Sequence, residues 1–137
     1  VIDMEVFAQI LDMDDDDDGD EGDAEVEPFS RMMVQDFSVQ AEKAFQDMQD
    51  ALAEKDLRKL SSLGHFLKGS SAALGIIKVQ ACCEKIQHYG NLWDEEAGEK
   101  LNEETALTRI GGLIEQCKIN YREAQGWFKT WYEERDK

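Results

Sequence analysis

From about Glu103 to Glu134, apolar side chains fall at Leu107, Ile110, Ile114, Cys117, Tyr121, Ala124, Phe128 and Trp131, in alternating steps of three and four. This spacing puts them on one side of a helix about thirty residues and therefore ~45 Å long. So long a stripe must be covered by other helices. The chain offers three further stripes. Phe29, Met33, Phe37, Ala41, Ala44, Phe45, Met48 and Leu52 form one; Leu57, Leu60, Leu63, Leu67, Ser70 and Leu74 another; Val79, Cys82, Cys83, Ile86, Gly90 and Trp93 a third. A single proline, Pro28, stands at the start of the first of these, where its missing N–H costs least. Asp56 is placed to cap the second stripe's helix and Gly75 to end it. The fold expected is all-α: one domain over residues 1–137, with an antiparallel four-helix bundle over about 28–134. An additional short N-terminal helix (about 1–12, capped by Asp3) and an acidic loop (about 14–27) precede it. Because the stripes complete one another within the chain, a monomer is expected rather than a free coiled-coil dimer.

Charge limits the partners. The formal net charge of −16 opposes nucleic acid, whose phosphates would repel it. No apolar run is long enough for a membrane span, and no signal peptide is expected before the first helix. Residue 1 is Val, so a start further upstream is expected. The three cysteines, two of them adjacent (Cys82 and Cys83), give neither a disulfide framework nor metal-ligand spacing; a reducing compartment and a role as small core residues follow. Ten acidic residues and no basic one occupy 14–27, leaving −6 for the rest. A solvated loop is the default reading. Asp14, Asp16, Asp18, Gly19 and Glu25 also satisfy a simple calcium-loop pattern, but Glu21 stands where an apolar residue is usual, and no second loop pairs with it.

Within residues 63–75, LGHFLKGSSAALG, the helical projection sets His65 almost opposite the leucine seam. Lys68 and Gly69 follow by three and four residues and share its face; Ala72 continues it one turn on. Neutral imidazole carries a nucleophilic lone pair near pH 7. Lys68 can neutralise negative charge arriving at the ring, and the small residues admit another protein's active site. By contrast, GHFLKGS is no phosphate-binding loop, since Ser70 stands where the essential lysine would be.

The string HFLKGSSAALG resembles the signature of the histidine-containing phosphotransfer (HPt) family, and most of all its fungal members from osmosensing phosphorelays. The resemblance extends through the acidic loop and the segment Cys83–Gln87, CEKIQ, over most of the chain except about 94–103. It implies that His65 is the phosphoacceptor, that Lys68 and Gly69 are the family's Lys and Gly, and that the chain carries a phosphoryl group between receiver domains. These would belong to a hybrid sensor histidine kinase and to downstream response regulators. Mg²⁺ is expected on the receiver, with no intrinsic cofactor or metal here, no kinase or ATPase activity, and a cytoplasmic and nuclear location. Nε2 of His65 is the expected attacking atom, its other nitrogen held by a neighbour. Gly69, Ser70 and Ala72 are expected at the partner contact.

Gln87 aligns with a glutamine that lies near the phosphorylated histidine in the fungal proteins, and is expected to hydrogen-bond the ring or an incoming phosphoryl oxygen. Four residues later Asn91 replaces the arginine of the fungal pattern. The wide apolar band of the first helix, with Val6, Phe7, Ile10 and Leu11, is read as partly exposed, with Ile10 and Leu11 docking a partner. His88 has no Lys-Gly sequel and is expected to be solvent-exposed and inert. The competing reading is a non-catalytic helical adaptor, with a calcium-responsive protein behind it.

Overall fold

The computed structural model describes residues 1–15 and 29–135. Its elements are α1 (Met4–Asp15), α2 (Phe29–Ala53), α3 (Leu57–Leu74), α4 (Ile77–Gly90), a two-stranded hairpin of β1 (Trp93–Asp94) and β2 (Glu99–Lys100), and α5 (Glu103–Arg135). Helices α2 to α5 form a closed ring in which each packs on two others, and α1 lies across α2 and α3.

The packing register is antiparallel throughout. Between α2 and α5, the Ser30 and Tyr132 hydroxyls lie 2.6 Å apart, Tyr121 Oη donates to the Ser38 carbonyl at 3.2 Å, and Gln49 donates to Glu115 at 3.3 Å. Between α4 and α5, Lys78 meets Glu123, Asn120 donates to Cys82, and the Cys83 and Cys117 sulfurs stand 3.7 Å apart. As one index rises, the other falls. The stripes account for this core: Leu60, Leu67, Ile86, Ile110 and Ile114 are fully enclosed, each worth about 1.5–3 kcal/mol of transfer free energy. Cys83 and Cys117 are buried among them, and hydrogen bonding to Cys117 together with burial pushes the Cys82 thiol well above its ordinary range. These are inert core groups, as the sequence implied.

The predicted helix ends are in place. Asp3 Oδ1 accepts from Glu5 N at 3.0 Å and Asp56 Oδ1 from Lys59 N at 3.1 Å. Gly75 ends α3 in the left-handed region, φ +76°, where a side chain would strain the backbone and strike the Asp3 carbonyl. There the chain's first residues join the corner: Asp3 N donates to Gly75 O at 2.7 Å, and Ile2 bridges Ile76.

Three expectations need correcting. First, the band on α1 is not a free docking surface. Phe7 is 0% exposed, its ring within 5.2–5.9 Å of the Phe128, Trp131 and Trp127 rings, and Ile10 is 6% exposed within the core. Leu11 is half-buried against that core. The width of the band reflects contact with several helices at once. Second, α4 ends at Gly90, before Trp93, and a hairpin follows it. Asp94 is buried, accepts from the backbone of Glu96 and Ala97 at 3.1 Å each, and receives Arg109 Nη1 at 2.7 Å. The guanidinium's hydrogen bond holds the Asp94 carboxyl below the usual carboxylate range. Trp93, expected on the inner face of α4, lies in this hairpin and is exposed. Third, helix α1 continues through Asp15. Asp14 is thereby committed: its two oxygens accept from Ser30 N (2.8 Å) and Ser30 Oγ (2.6 Å). The remaining positions of the calcium pattern lie outside the described residues.

Candidate functional site

Helix α3 presents His65 to solvent, as the projection required. Its buried face is wider than the leucine seam, because Ser61, Gly64 and Ser71 are enclosed along with Leu60, Leu67 and Leu74. Ser71 Oγ satisfies itself on the Leu67 carbonyl of its own helix. Ser70, expected on the seam, is only half-buried and hydrogen-bonds Gln40 of α2 at 3.4 Å. Lys68 and Ala72 are half-buried and Gly69 is exposed; a methyl group added at Gly69 would meet nothing within 4 Å. Phe66, next to the histidine, is 48% exposed. The face is open, with an imidazole, an ammonium and an aromatic ring within one turn.

No hydrogen bond or ion pair holds either nitrogen of His65 among the described residues, so the neighbour expected to orient the ring is absent there. The tautomer is left to whatever approaches. Gln87 is placed by a different device. A Cβ on Gly64 would stand 2.9 Å from the Cys83 carbonyl oxygen and 3.0 Å from Gln87 N; one on Gly90 would stand 2.8 Å from Ser61. These two glycines bring α3 and α4 together immediately beside His65. Ser61 Oγ, lying between them, donates to the Gln87 carbonyl at 3.0 Å with Asn91 Oδ1 3.2 Å away. Asn91, where the fungal pattern has arginine, thus serves the helix contact. The Gln87 side-chain oxygen is enclosed and has no hydrogen-bond partner among the described residues. A buried amide oxygen left unpaired costs roughly 1–3 kcal/mol, which marks Gln87 as a group that gains when a donor arrives.

Sequence reasoning placed His65, Lys68 and Gly69 correctly on one accessible face. It set Gly90 on the inner face of its helix but missed Gly64, although a glycine inside a helix, at a cost of about 1 kcal/mol relative to alanine, was the available signal. His88 departs from expectation: its side chain is 23% exposed and Nδ1 lies 2.8 Å from Glu95 Oε2 of the hairpin.

Comparison with known proteins agrees with this geometry. The Hpt domain family matches residues 32–120, which include all of α3 and α4. The chain is 44% identical over 134 residues, 97% of its length, to the multistep phosphorelay regulator 1 of Schizosaccharomyces pombe. It is 45% identical over 91 residues, 66% of its length, to the phosphorelay intermediate protein YPD1 of Candida albicans. It covers only 43% and 45% of those two proteins, less than half of each. Among solved structures, yeast Ypd1p superposes with a TM-score of 0.81 at 28% identity, over 97% of this chain and 95% of that one. Ypd1 of Saccharomyces cerevisiae crystallised with the receiver domain of its downstream response regulator Ssk1 gives 0.79 at 29% identity, with the same coverage. Matching helices, matching sequence and an open histidine at the matching motif lead to one assignment: this chain belongs to the Hpt domain family.

Proposed function

We propose that the chain is a histidine phosphotransfer protein: His65 accepts a phosphoryl group from the phospho-aspartate of one receiver domain and passes it to the aspartate of a second. The observation that carries this reading is the exposed imidazole of His65, unengaged among the described residues, on a face that small residues keep open. In the first transfer the Nε2 lone pair forms the N–P bond as the bond from phosphorus to the aspartyl oxygen breaks, and the carboxylate leaves with its electron pair. The second transfer reverses this on a new carboxylate. Such transfer needs in-line positioning and neutralised charge more than covalent machinery. Lys68 supplies charge at the rim, Gln87 offers a hydrogen bond to the ring or a phosphoryl oxygen, and Mg²⁺ is carried by the receiver.

The partners are receiver domains of a hybrid sensor kinase and of response regulators, met through Phe66, Gly69, Ser70 and Ala72, with the half-buried Leu11 at the margin in place of Ile10. The co-crystal of a relative with a receiver domain supports this choice of partner. We place the protein as a monomer in the cytoplasm and nucleus, in an osmotic-stress relay. No helix among the described residues is long and apolar enough to cross a membrane. The test is phosphoryl uptake from a phosphorylated receiver, with wild type labelled and His65→Gln unlabelled. Transfer surviving in His65→Gln would reduce the chain to a helical adaptor.

A further inference from the structure

The second histidine lies in a different chemical setting. Glu84 and His88 are separated by one helical turn on the outer face of α4, and Glu95 reaches them from the turn of the hairpin. One donor atom from each of the three lies within 4.8 Å of the others. They line a recess of about 300 Å³, with Tyr89 and Lys85 on its walls. The basic groups nearby are already engaged: Lys85 pairs with Glu96 at 3.4 Å and Arg109 with Asp94 at 2.7 Å. Glu84 makes no hydrogen bond or ion pair among the described residues. Two carboxylates and an imidazole therefore converge, and among the described residues no basic group pairs with Glu84.

We infer that Glu84, His88 and Glu95 form a binding site for a divalent first-row transition-metal cation, with Zn²⁺ the best match. One imidazole nitrogen and two carboxylate oxygens are ligands Zn²⁺ takes at about 2.0–2.2 Å, leaving a fourth position for water. Tetrahedral donors at that distance stand about 3.4 Å from one another. The 2.8 Å between His88 Nδ1 and Glu95 Oε2 opens slightly, and the unattached Glu84 side chain swings in. The cation binds the His88 Nδ1 lone pair and one carboxylate oxygen each of Glu84 and Glu95, and any proton on Nδ1 passes to solvent. Bound there, it ties the last turns of α4 to the hairpin.

Titration calorimetry with Zn²⁺ on the intact chain at physiological ionic strength tests the site. One Zn²⁺ per chain is expected, weakened at least about tenfold in Glu84→Gln and in His88→Ala and unchanged in His65→Gln. Glu84→Gln breaks no hydrogen bond or ion pair among the described residues, so the variant is expected to fold as wild type does. With Co²⁺ as probe, the visible spectrum should show nitrogen and oxygen ligation without an intense thiolate-to-metal band. No uptake by wild type, uptake that both cluster variants retain in full, or a thiolate band that places the ion on the cysteines would each overturn the assignment.

Discussion

The two histidines occupy neighbouring helices, and they differ in everything but their chemistry. His65 stands on α3 with neither nitrogen engaged among the described residues and with a glycine one turn away that leaves its surroundings empty. His88 stands on α4 with Nδ1 already held by Glu95, at the edge of a hairpin fixed by Asp94 and Arg109. The Glu95 contact engages Nδ1 of His88 alone, so what separates the two rings is access: His65 stands on an exposed face, whereas the His88 side chain is 23% exposed at the edge of the hairpin. The difference teaches that reactivity here depends on what the fold withholds from a side chain as much as on what it supplies.

The sharpest way to break the comparison is to exchange the losses. His65→Gln should abolish phosphoryl uptake from a phospho-receiver, while His88→Gln leaves it at the wild-type rate, both read by radiolabel transfer. If His88→Gln also loses transfer, the two sites are coupled. Next, Lys68→Ala should slow uptake about ten- to a hundredfold, as the loss of one hydrogen bond to a charged group would, with the midpoint of urea denaturation unmoved. The glycines offer a comparison of opposite signs. Gly64→Ala forces a methyl group against the Cys83 carbonyl and should cost about 1–3 kcal/mol in urea denaturation. Gly69→Ala, with nothing to strike, should instead gain about 0.5–1 kcal/mol.

The smallest effect concerns the hairpin beside His88. Because the Asp94 carboxyl is held below the usual carboxylate range by Arg109, it contributes stability above its unfolded value and loses it as the pH falls through its folded value. Asp94→Asn should therefore be less stable than wild type at neutral pH. The gap should close only as the pH drops below about 4. A gap that persists unchanged at lower pH would show that packing rather than charge fixes the hairpin.

What could be read from the sequence was whatever repeats along a helix. The stripe from Leu107 to Trp131, the caps at Asp3, Asp56 and Gly75, and the exposure of His65 opposite the leucines all follow from local geometry. What depended on a distant element could not be read in the same way. The band on α1 looked available because the rings packed on Phe7, those of Trp127, Phe128 and Trp131, lie more than a hundred residues away. Gly64 carried a visible cost, but its cause, the backbone of Cys83 and Gln87, belongs to the next helix. His88 meets Glu95 only because a short hairpin turns the chain back, and a run of acidic residues gives no periodic sign of that turn.

The bonds from Asp14 to Ser30, with Tyr132 behind them, tie together two points of the chain that are sixteen residues apart. Whatever is spliced between those points, the ends meet at the same knot. The entropy of closing a chain segment grows only with the logarithm of its length, so doubling the insert would cost only about 0.6 kcal/mol. None of Asp14, Ser30 and Tyr132 belongs to α3, so a change in the number or charge of residues between Asp14 and Ser30 leaves the helix that carries His65 with its own contacts.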